Sequence, residues 1–118
     1  MGVSWIEFKG KKILYANFLN MKDDAQNRQI LELEMKMIAQ SAEPVLLLVN
    51  LEGATMSPES SQYTKEQLMK FGPKVVKSAL VGITGFKPVI VDGIGRAVSG
   101  LNQRIFSTLD EAKEWLVS

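Results

Sequence analysis

Apolar and polar positions change rhythm several times along the chain, and each rhythm predicts an element. Val3 to Phe8 is rich in β-branched and aromatic residues, Lys9-Gly10-Lys11 interrupts it, and Ile13 to Leu19 alternates again with Tyr15 and Phe18 inside. Two such runs around a Gly-containing turn predict a β-hairpin. From Asp23 the period lengthens. Ile30, Leu33 and Met37 recur at i, i+3 and i+7, with Leu31, Met35 and Ile38 widening the stripe, so a helix is expected to about Ala42. Asp23 and Asp24 open it, where the positive end of the helix dipole favours acids. Pro44 stops it and leads into Val45-Leu46-Leu47-Leu48-Val49. An uninterrupted apolar run of this kind predicts a central strand buried on both faces.

Ser57-Pro58-Glu59 predicts a second helix start, with Ser as N-cap and Pro in the first turn. This helix is expected to reach about Phe71, where Gly72-Pro73 ends it. Ser78 to Ile83 predicts another buried strand. Between Phe86 and Gly100 two patterns compete. Val89-Ile90-Val91 has strand propensity, and Gly93 and Gly95 each penalise a helix by about 1 kcal/mol. Yet Phe86, Val89, Ile90, Ile94, Ala97 and Val98 recur at helical spacing. Gln103 to Phe106 predicts a short strand. Ser107-Thr108-Leu109-Asp110-Glu111 holds overlapping capping boxes, Ser107 with Asp110 and Thr108 with Glu111, before a helix with Ala112, Trp115 and Leu116 on one face. The order β-β-α-β-α-β-(α)-β-α predicts a single α/β domain over residues 1–118. Its central mixed sheet should have four or five strands and about four helices.

Composition narrows the chemistry. There is no Cys and no His among the 118 residues. That excludes disulfides, thiol nucleophiles, thiolate and HExxH-type metal sites, and the usual Ser-His-Asp triad. It fits a reducing cytoplasm. A formal net charge of +1 gives no overall drive toward nucleic acid. The N-terminal residues show no basic-then-apolar leader pattern, and Val45 to Val49 is far shorter than the roughly 20 residues of a membrane span. No stable membrane insertion is expected.

Three strings in this order resemble the SpoIIAA-like family, small single-domain proteins of largely uncharacterised function with a STAS/CRAL-TRIO-like α/β fold. They are Pro44-Val45-Leu46-Leu47-Leu48-Val49-Asn50-Leu51-Glu52-Gly53, Ala79-Leu80-Val81-Gly82-Ile83-Thr84-Gly85-Phe86-Lys87, and Phe106-Ser107-Thr108-Leu109-Asp110-Glu111-Ala112-Lys113-Glu114-Trp115-Leu116. The likeness runs from about Ile13 to Ser118, and the closing string is its most specific part. The resemblance implies a helix from Phe86 to about Val98. The broader fold includes anti-sigma-factor antagonists switched by serine phosphorylation, domains attached to anion transporters, and lipid-transfer domains.

Candidate sites follow, each with a plain structural alternative. A regulatory phosphate site would use Ser57, at the helix start after the central strand. A second candidate is the loop with Gly82, Thr84 and Gly85, which would hold an anion on its backbone N–H groups. The antagonists' acceptor serine follows an Asp, and Thr55-Met56-Ser57-Pro58-Glu59-Ser60-Ser61 has no Asp-Ser pair. The alternatives are an N-cap at Ser57 and a tight turn at the glycines. An apolar pocket would draw on Met35, Met37, Met56, Met69 and Phe86, with Met21, Tyr63 and Phe71 nearby, since Met lines adaptable sites. The alternative is ordinary core packing. Lys65, Lys70, Lys74, Lys77 and Lys87 form a basic strip suited to an anionic surface or acidic partner, or simply a solvated face. Asp23 with Asp24, or Glu32 with Glu34, are carboxylate pairs that acid–base work would use. Glu32 and Glu34 lie two apart on a helix and face different ways.

With no nucleophile beside a base, the sequence leads to a non-catalytic binding or regulatory domain without a cofactor. The expected partner is another protein or a second copy of the chain, a homodimer. The alternative expectation is a carrier of a lipid or a small apolar ligand.

Overall fold

The computed structural model describes residues 2–83 and 102–118. Strand β1 (Gly2–Phe8) and strand β2 (Lys11–Asn17) form an antiparallel hairpin in the register Phe8↔Lys11. The two-residue turn places both Lys9 (φ 51°) and Gly10 (φ 80°) in the left-handed region. That is the conformation whose twist matches paired strands. Helix α1 (Asp24–Gln40) follows, capped by Asp23, whose carboxylate accepts the Ala25 N–H at 2.8 Å. Then come β3 (Val45–Asn50), α2 (Pro58–Phe71), a 3₁₀ turn (Gly72–Lys74), β4 (Val75–Val81), β5 (Gln103–Phe106) and α3 (Leu109–Val117).

The five strands lie in the sheet in chain order, β1 to β5. The β2–β3, β3–β4 and β4–β5 pairs are parallel. Consecutive parallel strands that step in one direction require right-handed crossovers on one face. Accordingly α1 and α2 pack together on one side, and α3 covers β3, β4 and β5 on the other. The pleat then sorts β3: Val45, Leu47 and Val49 join the α1/α2 core, while Leu46 and Leu48 join the α3 core. β3 is therefore buried on both faces, as its apolar run predicts. The expected helix from Phe86 to Val98 lies outside the described residues, which hold three α-helices.

Two expectations need correction. The buried stripe of α1 is Asn27, Leu31, Glu34, Met35 and Ile38, at i, i+4, i+7, i+8 and i+11. Leu33 is 43 % exposed, and Ile30 and Met37 only flank the core. The helix is rotated so that its best-packed residues, Met35 and Ile38, meet the sheet. At α3, Thr108 caps the helix, but the Glu111 carboxylate accepts its hydroxyl rather than the backbone N–H a capping box would use, and among the described residues no hydrogen bond joins Ser107 and Asp110. Thr108 Oγ1 accepts the Glu111 N–H at 3.2 Å and donates to Glu111 Oε1 at 3.1 Å.

Candidate functional site: a cavity between the paired helices and the sheet

A cavity of about 80 Å³ lies between α1, α2 and the sheet. The chain reaches it by ordinary rules. Leu47 and Val49 of β3 and Leu80 of β4 point to this face by strand alternation. Phe18 and Leu51 come from the segments leaving β2 and β3, and these segments are pinned together: Phe18 N–H donates to Asn50 O, and Leu51 N–H to Val81 O, both at 2.8 Å. Leu31 of α1 and Met56 and Leu68 around α2 complete the apolar lining. Much of the lining thus clusters toward the carboxyl ends of β3 and β4, where open α/β sheets commonly bind ligands.

Several polar side chains also line the cavity, and most have partners. Asn27 Nδ2 donates to Thr55 O at 3.1 Å, and Thr64 Oγ1 donates to Ser60 O at 2.8 Å. At the exposed side, the Arg28 guanidinium sits 4.3 Å from the Tyr63 ring centroid, and the Tyr63 hydroxyl donates to Glu32 Oε1 at 3.2 Å. Burial and the Glu32 carboxylate push the Tyr63 phenol above its ordinary 10.

Glu34 differs from all of these. It is only 3 % exposed, it lines the cavity, and among the described residues it forms no ion pair or hydrogen bond. Burial alone pushes its carboxyl from an ordinary 4.5 up to about 8. At neutral pH it therefore carries a proton. Ser78 of β4 is also buried and lines the cavity.

The residues singled out from the sequence fall in different places. Of the methionines proposed for an apolar pocket, Met56 lines the cavity. Met35 is buried in the helix–sheet core, and Met37 packs at its edge. Met69 is 54 % exposed, because it lies on the outer face of α2. Phe86 lies outside the described residues, as do Thr84, Gly85 and Lys87. Ser57 serves as the α2 N-cap, its Oγ accepting the Ser60 N–H at 3.1 Å. Its own N–H donates to Asp24 Oδ1 at 3.4 Å, and the Ser57 hydroxyl holds the Asp24 carboxyl below its usual range. A phosphate on Ser57 would meet that carboxylate. Gly82 has φ +74°, and a Cβ there would come within 2.8 Å of Glu52 Cα. Its glycine is thus explained by close backbone approach.

The lysine strip does not hold together as one surface. Lys74 Nζ donates to Ala39 O at 3.0 Å and Ser41 O at 2.6 Å, closing the carboxyl end of α1. Lys77 Nζ donates to Trp115 O and Ser118 O, both at 3.0 Å, at the end of α3 on the opposite face. Both lysines satisfy carbonyls that a helix end leaves open.

From the sequence Glu34 enters only as half of a carboxylate pair with Glu32; its burial in the cavity wall, while Glu32 is exposed, is not foreseen. Its signal was present: it stands three residues after Leu31 and four before Ile38, inside the buried stripe. A count of apolar residues alone passes over it.

The architecture defines a SpoIIAA-like α/β fold. Among solved structures the chain is similar to an uncharacterized protein from the DUF3478 family with a SpoIIAA-like fold from Shewanella loihica PV-4, with a TM-score of 0.68 over 98 % of this chain and 92 % of that chain. At 15 % identity this likeness shows the fold alone. No protein-family model and no curated protein matches the chain. Among the described residues no helix is long and apolar enough to cross a membrane.

Proposed function

We propose that the chain is a binding protein for a small, largely apolar molecule, held in the cavity between α1, α2 and the sheet. The observation that carries this reading is the cavity itself, about 80 Å³ with a largely apolar surface to which the described Phe, Leu, Val and Met side chains contribute. Concave, mostly apolar sites with a few placed polar groups are how proteins hold small ligands. Against the roughly 150 Å³ cavity that takes one benzene, this space takes about three heavy atoms, with the rest of a small ligand at its open side. That suits a compact ring or short branched body better than a long acyl chain, so the carrier reading narrows from lipid to small ligand.

Native mass spectrometry of the gently purified chain tests it, paired with NMR titration of a small hydrocarbon such as benzene. Co-purified small molecules, or saturable shifts at Leu31 and Leu80 but not at Leu116 in the opposite core, support the reading. Clean apoprotein with no saturable shift sinks it.

Self-association is a second reading, favoured by β1. This strand ends the described sheet and carries Trp5 41 % exposed. Unpaired strand edges readily pair with another copy. Sedimentation at high micromolar concentration would show a species of twice 13.1 kDa if it holds, and 13.1 kDa if it does not.

A further inference from the structure

Resting on the cavity reading just given, we propose that the ligand is uncharged and carries one carbonyl or hydroxyl oxygen, and that the Glu34 carboxyl is the group that binds this oxygen. Glu34 is 3 % exposed, lines the cavity, and is unpartnered among the described residues. No side-chain oxygen or nitrogen among the described residues is both shut off from solvent and unpartnered, so the Glu34 carboxyl oxygens open onto the cavity, where a ligand oxygen can complete the hydrogen bond that the protein leaves unmade.

The charge of the ligand follows from the described groups that share the cavity with Glu34. Among the described residues the charged or titratable ones are Arg28 from α1 and Tyr63 from α2, and the strands contribute uncharged side chains, Ser78 and Gln103 being the polar ones. Arg28, stacked on Tyr63 at the exposed side, disfavours an entering cation. An ammonium would also need acceptors for three N–H groups. An anion would have to give up its water inside a largely apolar lining, with the Arg28 charge only at the exposed side. A protonated carboxyl, by contrast, donates one hydrogen bond to a neutral oxygen and leaves no charge buried. Burial, which raises Glu34 to about 8, keeps that proton in place at neutral pH.

The test uses the full chain and three probes matched in heavy-atom number: cyclohexanone, methylcyclohexane and cyclohexylammonium. Affinities are taken from NMR shifts of the cavity-lining residues. Near pH 6.5 cyclohexanone should bind up to about tenfold more tightly than methylcyclohexane, the upper end of what one neutral hydrogen bond is worth. Near pH 9, about one unit above the Glu34 value, only about one tenth of the carboxyl keeps its proton, so cyclohexanone affinity should drop about tenfold while methylcyclohexane affinity stays constant. Glu34→Gln should keep cyclohexanone binding and abolish its pH dependence. Equal affinity for the ketone and the hydrocarbon, or tightest binding of cyclohexylammonium, overturns the role of Glu34 while leaving the cavity reading standing. Absence of saturable shifts with all three probes removes the cavity reading as well.

Discussion

Arg28 stacks on Tyr63, its guanidinium carbon 4.3 Å from the ring centroid, so that α1 grips α2 at the exposed side of the cavity. Glu32, one turn further along α1, accepts the Tyr63 hydroxyl at 3.2 Å. Two α1 side chains thus hold one α2 ring. Tyr63→Phe keeps the stack and loses only the exposed hydrogen bond, so it should cost less than about 1 kcal/mol. Tyr63→Ala loses the ring contact too and should cost more, about 2 kcal/mol. Urea denaturation compares them, and equal stability of the two variants would show that the ring does not clamp the helices.

Glu34 makes stability depend on pH in the direction opposite to a salt-bridged acid. Its carboxyl is raised from 4.5 to about 8 in the folded chain. The unfolded chain therefore releases this proton first as pH rises. The contribution is fully present below pH 4.5, falls as pH rises toward about 8, and is level above that. The slope is at most about 1.4 kcal/mol per pH unit. Glu34→Gln, which cannot ionise, should match the wild type in melting temperature near pH 4 and exceed it at about pH 8. Parallel melting curves across the whole range would contradict a buried, protonated Glu34.

Gly82→Ala should be among the more disruptive single-methyl changes outside the core. The backbone there has φ +74°, and the added carbon would lie 2.8 Å from Glu52 Cα and 3.0 Å from Glu52 N. Neither is the end of a flexible side chain, so the two segments after β3 and β4 must separate. A cost of about 1–3 kcal/mol is expected from the strained conformation and the contact. Thermal unfolding measures it, and a neutral substitution would show that this loop relaxes freely.

Lys74 and Lys77 close helix ends rather than forming a shared surface. Lys74→Met and Lys77→Met should each lower stability by about 1 kcal/mol while keeping the aliphatic stem. Hydrogen exchange should localise the effect to the last turn of α1 for Lys74 and to α3 for Lys77. Exchange that quickens in neither helix would mean that the lysines are merely solvated.

Much of the fold was legible in local pattern. The apolar run of β3 announced a strand covered on both sides. Ser57-Pro58 and Thr108 with Glu111 marked where α2 and α3 begin, because capping depends on residues within one turn of each other. The hairpin followed from Lys9-Gly10, and the parallel sheet from the alternation of strands and helices. The absence of Cys and His is likewise a property of the chain before it folds.

Tertiary structure alone decided the rest. Whether α1 turns Leu33 or Glu34 inward depends on how the helix is rotated against a sheet whose strands lie elsewhere in the chain. Met56 and Met69 are equally apolar, yet one lines the cavity and the other faces solvent. Lys77 finds its carbonyl partners about forty residues away, at Trp115 and Ser118. The cavity has no sequence signature, because a void is the space left where side chains from α1, α2 and three strands fail to meet. Helical and strand periods act over a few residues and assign faces. Only the packing of those faces against each other places a buried carboxyl on the wall of a largely apolar cavity.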